Sequence, residues 1–158
     1  MRIQILSDLH LDVWGRGGYG PLTGTQTDAD VLVLAGDCVS LAAYETEPSQ
    51  KCLAAFTDRY HDVVFVPGNH EFYGTDIAAG LDRLATIAAR LPNLHVLAPG
   101  RRVRIGDRDW LGGTLWQPAD ADAPPISDHR CVRHFVRDAP SYYADAYQQL
   151  HKQLAPGD

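Results

Sequence analysis

Runs of apolar residues alternate with amphipathic stretches along the first hundred positions. Val31-Leu32-Val33-Leu34-Ala35 and Val63-Val64-Phe65-Val66 are continuous and rich in β-branched residues, as strands buried on both faces are. Ile3, Ile5 and Leu6 make a similar first strand. Between the second and third runs, Cys52, Leu53, Phe56 and Tyr60 share one face of a helix expected over about Pro48 to Tyr60. Ile77, Leu81, Leu84, Ala88 and Leu91 then recur at spacings of 4, 3, 4 and 3, a second helix that Pro92 closes. Strand, helix, strand, helix implies βαβ units with parallel pairing and right-handed crossovers.

The second half changes character. His95 to Ala98, Val103 to Ile105 and Asp109 to Gly112 read as short strands, with Asp107 in the turn after Gly106. Gln117 to Pro140 is polar, carries four prolines and lacks periodicity, so it reads as a long loop. Tyr143, Tyr147, Leu150 and Leu154 define a last helix with Ser141 as its N-cap, stopped by Pro156-Gly157. Nothing repeats internally, and the 158 residues are read as a single domain.

Charge narrows the partners. The formal net charge is −6, without the basic face that tracking a nucleic-acid backbone requires, so binding to a long duplex, and a nuclease acting on one, is disfavoured. A small phosphorylated substrate is compatible with this balance if metal ions meet its charge. No 18-residue apolar run suggests a membrane span. The first eight residues do not read as a secretory signal. Cys38, Cys52 and Cys131, odd in number and scattered, fit a reducing cytoplasm better than a disulfide framework.

Each apolar run ends in polar residues of one chemical kind: Ser7-Asp8-Leu9-His10, Gly36-Asp37 and Pro67-Gly68-Asn69-His70-Glu71. In an open parallel sheet the carboxyl ends of the strands face a common crevice. Asp8, His10, Asp37, Asn69 and His70 should therefore converge. Their carboxylate, imidazole and amide atoms form a donor set suited to Mn, Fe, Zn or Ni. Two such ions a few Å apart can share a carboxylate and hold a hydroxide for in-line attack on phosphorus. Gly36 and Gly68 allow sharp turns and close backbone approach. Turn chemistry alone would also place Asp and Asn at strand ends, but not all three motifs together.

Asp8-x-His10, Gly36-Asp37 and Gly68-Asn69-His70-Glu71, each after a strand and in this order, resemble the calcineurin-like metallophosphoesterases. The resemblance covers residues 1 to 116, and more loosely Asp128-His129-Arg130 and the last helix. It implies a metallophosphoesterase-like α/β sandwich around a two-metal centre, and metal-dependent hydrolysis of a phosphoric monoester or diester. By motif, Asp8 and His10 would bind the first ion, Asp37 would bridge, and Asn69 would bind the second. His70 would stabilise the transition state or protonate the leaving alkoxide. Arg130 is a candidate for binding a phosphate oxygen pair, though a surface arginine fits it equally well.

Two departures from the family pattern shape the expectations. The family adds late histidines, including a Gly-His-x-His segment, whereas His129, His134 and His151 stand in no such context here. The sandwich is therefore expected to be truncated at its carboxyl end, with an incomplete metal centre. That in turn leaves an apolar edge suited to self-association or to a missing segment. The alternative to the enzyme is a non-catalytic module, or truncated remnant, with the same fold. In relatives with G-D-x-x-D the last Asp orients the catalytic histidine, and here that position is Ser40.

Other features read as structural. Gly15-Arg16-Gly17-Gly18-Tyr19-Gly20 matches G-x-G-x-x-G, but Pro21 and Gly24 break the helix that a dinucleotide fingerprint needs. His129-x-Cys131-x-x-His134 lacks paired spacing and a fourth ligand for structural zinc. Cys38 reads as an inert buried thiol. Tyr73, Trp116, His61, His95 and His151 read as packing or surface residues. Glu71 divides evenly between orienting a neighbour and lying solvated in a loop.

Overall fold

The computed structural model describes residues 1–12, 28–44, 47–116 and 125–154. Four strands, β1 (Ile3–Leu6), β2 (Val31–Ala35), β3 (Asp62–Val66) and β4 (Leu94–Val96), form one sheet in that order. All three pairings are parallel: Leu6 lies opposite Leu34, and Leu34 opposite Phe65. Two of the crossovers are helical: α1 (Leu41–Tyr44) and α2 (Glu47–Arg59) join β2 to β3, and α3 (Ile77–Ala88) joins β3 to β4. The Asp76 side chain caps α3, accepting the Ala79 N–H at 2.9 Å.

Alternation along the strands sorts the core into two layers. Leu32, Leu34, Val63, Phe65, Leu94 and Val96 point to the helical face, where Leu53, Phe56 and Leu84 meet them. Val31 and Val64 point the other way, against Leu97 and Ile105. Ile105 belongs to an antiparallel hairpin, β5 (Arg102–Ile105) and β6 (Arg108–Leu111), that forms the second sheet. The chain is thus an α/β sandwich of helices, parallel sheet and hairpin. Both faces of β2 and β3 are covered, which is why their apolar runs are continuous.

β1 departs from that reading. Ile3 is 40% exposed and Ile5 66%, and neither joins the cluster that packs against the hairpin. An apolar run cannot say which of its faces is covered.

The second correction concerns residues 117–140. Residues 117–124 lie outside the described set, as do 13–27 with the glycine-rich stretch, but Asp128–Cys131 is a helical turn, α4, and Phe135–Leu154 is one long helix, α5. Pro140 and Ser141 therefore sit inside α5, and Ser141 does not cap it: its hydroxyl donates to the Asp138 carbonyl at 3.0 Å. Pro140 leaves the Val136 carbonyl without its i+4 donor, and Val136 is on the solvent side, where water can replace it. Phe135 and Ala139 pack with Trp116, Phe72, Ile77 and Val132 in a third cluster at the carboxyl ends of the strands. No described helix is long and apolar enough to cross a membrane.

Candidate metal centre

The loops after β1 and β2 are laced together by backbone hydrogen bonds. Beyond β1, the N–H groups of Asp8, His10 and Leu11 donate to the carbonyls of Gly36, Asp37 and Cys38 at 3.0, 3.0 and 2.8 Å. The loop after β1 thus follows the loop after β2 past the end of the ladder. Holding that path forces Asp8, His10 and Asp37 to φ of 54°, 43° and 52°, a region that non-glycine residues seldom occupy. Each such residue costs about 1 kcal/mol or more, so the surrounding bonds must over-determine it. His134, at φ 58°, is the fourth such residue among those described.

Glu71 supplies much of that determination. It is fully buried. Oε2 accepts the N–H groups of Asp37 and Gly68 at 2.9 and 2.7 Å, and Oε1 those of Cys38 and Val39 at 2.7 and 3.2 Å. Burial pushes its carboxyl above the usual range, against four N–H donors that pull it down. The solvated-loop reading of Glu71 is overturned: its carboxylate joins the loops after β2 and β3.

Gly68 makes the join possible. A Cβ there would lie 2.1 Å from Asp37 Oδ1 and 2.6 Å from the Asp37 backbone nitrogen. Asp37 Oδ1 also accepts the His70 N–H at 3.0 Å. One carboxylate oxygen is therefore spent on the neighbouring loop, and Oδ2 is left for a ligand.

One donor atom each from His10, Asp37 and His70 lies within 4.8 Å of the others, the group among the described residues suited to a metal ion. The His10 and His70 rings meet edge to face at 4.4 Å, and the His70 ring also packs on Tyr73 at 4.2 Å. His10 Nδ1 is buried without a hydrogen-bond partner. A buried imidazole nitrogen left unpaired is costly unless something fills it, so this donor set fits a divalent cation. Asp8 is not in that tight group, but it and Asn69 line a cleft of about 300 Å³ with Asp37, Gly68 and Trp116. The Asp8 carboxylate accepts from the Ser7 hydroxyl.

Asn69 opens a short 3-10 turn, His70–Phe72, but its side chain does not cap it. Its amide nitrogen instead donates to Asp128 Oδ1 at 2.8 Å and to the Tyr73 hydroxyl at 3.2 Å. Tyr73 donates to the same Asp128 oxygen at 2.8 Å, and Trp116 Nε1 donates to Oδ2 at 3.1 Å. Asp128 is itself only 3% exposed. Sequence reasoning treated Tyr73 and Trp116 as packing and gave Asp128 no role. Apart from the loose family likeness around Asp128, no local pattern marks a bond spanning 59 residues.

The remaining candidates take structural places. Ser40 Oγ donates to Asp12 Oδ2 at 2.8 Å, so it stands in a different pairing from the histidine-orienting Asp of relatives. His129 Nδ1 accepts the Ile126 N–H at 3.2 Å and its ring packs on Phe135, apart from any zinc-like group among the described residues. His95 pairs with Asp62 at 2.7 Å. Arg130 lies exposed on α4. Cys38 is buried, and burial holds its thiol well above the ordinary range, with the nearby Glu71 carboxylate adding to the rise.

The parallel sheet, its helical crossovers and a polar cleft at the strand ends define an α/β sandwich that gathers polar side chains from separate loops. The family model for calcineurin-like phosphoesterases matches residues 1–112, and the chain belongs to that family. Among solved structures, a phosphopantetheinyl hydrolase from Mycobacterium tuberculosis is similar, with a TM-score of 0.67 at 17% identity. The match covers 99% of this chain and 64% of that one, so this chain spans about two-thirds of the neighbour's length. At that identity the likeness is one of fold. Comparison with curated proteins finds no significant match.

Proposed function

We propose that the chain hydrolyses phosphoric esters with two divalent ions held at the carboxyl ends of β1, β2 and β3. The observation that carries this reading is the group of His10, Asp37 and His70 donors, together with the unpaired, buried His10 Nδ1. Family membership supports it as well. Asp8 and His10 would hold one ion, Asn69 the other, with Asp37 between them. Bound divalent ions would supply a nucleophile at neutral pH and offset charge on the phosphoryl oxygens.

The protein's own groups do the rest. Glu71 fixes the backbone from which Asp37 projects. Asn69, its amide nitrogen engaged elsewhere, offers Oδ1. His70, whose ring contacts those of His10 and Tyr73, would give its proton to the leaving alkoxide. Arg130 would meet a phosphate oxygen pair only if a ligand reaches α4.

The test is hydrolysis of 4-nitrophenyl phosphate and bis(4-nitrophenyl) phosphate by protein loaded with Mn²⁺, with Asp37→Ala as control. Hydrolysis by the wild type that Asp37→Ala abolishes supports the reading, and equal rates overturn it. A non-catalytic module is favoured by one feature: the Asp8 carboxylate lies outside the tight group of three donors. Elemental analysis separates the two, since two tightly held ions per chain exclude the module.

A further inference from the structure

Asp128 lies on α4, far along the chain from any strand end, yet it is the residue to which the Asn69 amide is tied. The amide nitrogen of Asn69 has two acceptors on that side, Asp128 Oδ1 and the Tyr73 oxygen. Rotation of the carboxamide would put its oxygen against the Asp128 carboxylate, acceptor against acceptor. One orientation is therefore enforced, with Oδ1 as the atom left free. Tyr73 donates to Asp128 and takes a second hydrogen bond, at 3.0 Å, from the Ser127 hydroxyl, so its own proton is also committed. On the opposite side Trp116 Nε1 donates to Oδ2. A buried carboxylate with three side-chain donors on its two oxygens is a fully satisfied network, which holds its members in one arrangement.

α4 is itself anchored beside the site. The Gly74 N–H donates to the Cys131 carbonyl at 2.8 Å and the Arg133 N–H to the Thr75 carbonyl at 2.8 Å, pinning residues 128–133 to the turn that follows His70 and Tyr73. The Trp116 ring, between Phe72, Phe135 and Tyr142, fixes the other wall.

We propose that Asp128 is a positioning residue for the metal centre: it orients Asn69 so that the carboxamide oxygen faces the cleft, and through Tyr73 it steadies the ring against which His70 packs. The proposal rests on the metal-hydrolase reading. A hydrogen-bonding partner behind a metal ligand typically alters affinity by about 10–100-fold when it is lost.

The experiment compares Mn²⁺ binding by calorimetry in wild type, Asp128→Asn, Asn69→Asp and the double variant Asn69→Asp/Asp128→Asn, with melting of each metal-free protein measured alongside. Asp128→Asn leaves one oxygen where two accepted, so either Asn69 or Trp116 faces an NH₂ group. It should weaken one of the two ions at least about 10-fold. Asn69→Asp sets two carboxylates against each other. In the double variant the amide introduced at position 128 donates to the new carboxylate and keeps its oxygen for Trp116, so affinity should recover most of the loss. A residue that only stabilised the fold would lower the melting temperature and leave the affinity of folded protein unchanged.

Wild-type affinity in Asp128→Asn overturns the proposal alone. So does a double variant that binds no more tightly than Asn69→Asp, since any recovery would then be owed to added charge. If Asp128→Asn does not fold, the comparison of Asn69→Asp with the double variant decides. A wild type that binds no Mn²⁺ removes the hydrolase reading, and this proposal with it.

Discussion

Glu71 Oε2 accepts the backbone N–H of Asp37 at 2.9 Å, across 34 residues of chain, while the Asp37 carboxylate accepts the N–H of His70, the residue before Glu71. Each loop thus holds the other by a buried or half-buried carboxylate. Neither acidic side chain could keep its place without the other's backbone.

Glu71→Gln should be costly although it preserves shape. Whichever way the amide turns, its NH₂ faces two backbone N–H groups now bound to one carboxylate oxygen. Stranding buried donors costs about 1–3 kcal/mol each way the network is broken, so a loss of roughly 2–4 kcal/mol is expected. Urea unfolding of wild type and variant checks it, and an unchanged midpoint would contradict the arrangement.

Gly68→Ala tests the close approach of the same loops. The added methyl would overlap Asp37 Oδ1 and the Asp37 nitrogen, and backbone cannot rotate away as a flexible side chain can. Destabilisation of about 1–3 kcal/mol is expected from overpacking. Mn²⁺ affinity should fall with it, because Asp37 must move. A variant as stable and as metal-competent as wild type would show that the loops are not packed this tightly.

His70→Ala separates ligand from proton donor. If His70 acts on the leaving group, turnover should fall about 10²–10⁴-fold while the ion content stays at the wild-type level. Loss of an ion together with activity would instead make His70 a ligand, consistent with its place in the three-donor group. Rates with esters of increasingly acidic leaving groups give a second reading, since a proton donor matters less as the leaving group improves.

The thiols should differ in reactivity. Cys38 and Cys52 are buried and Cys131 is half-buried. Burial pushes the Cys52 thiol up to about 11. At pH 8 only on the order of one Cys52 in a thousand would be thiolate, the reactive form, and the fraction climbs tenfold per pH unit toward that value. Mass spectrometry after brief alkylation of native protein should find label on Cys131, with Cys38 and Cys52 modified only after unfolding. Early label on Cys38 would contradict its burial beside Glu71.

The strands, their parallel pairing and the polar residues at their carboxyl ends were readable from the chain itself, whereas Trp116, which also lines the cleft, reads there as packing. Apolar runs such as Val31 to Ala35 reflect cover on both faces, and a parallel sheet sends the ends of such strands to one crevice. Helix α3 was equally legible, since its periodicity and the closing Pro92 are local properties. What lay out of reach depends on partners distant in sequence. The length of α5 was hidden because Pro140 looks like a break unless its surroundings tolerate the missing N–H. The exposure of Ile5 depends on which side chains a hairpin some hundred residues later packs against. Glu71 divided evenly between two readings and Asp128 had none, because most of their donors come from 32 to 34 residues away for Glu71 and from 55 to 59 for Asp128. Hydrophobic patterning is written in neighbours along the chain, whereas the satisfaction of a buried charge is decided by whichever groups the finished fold brings within about 3 Å.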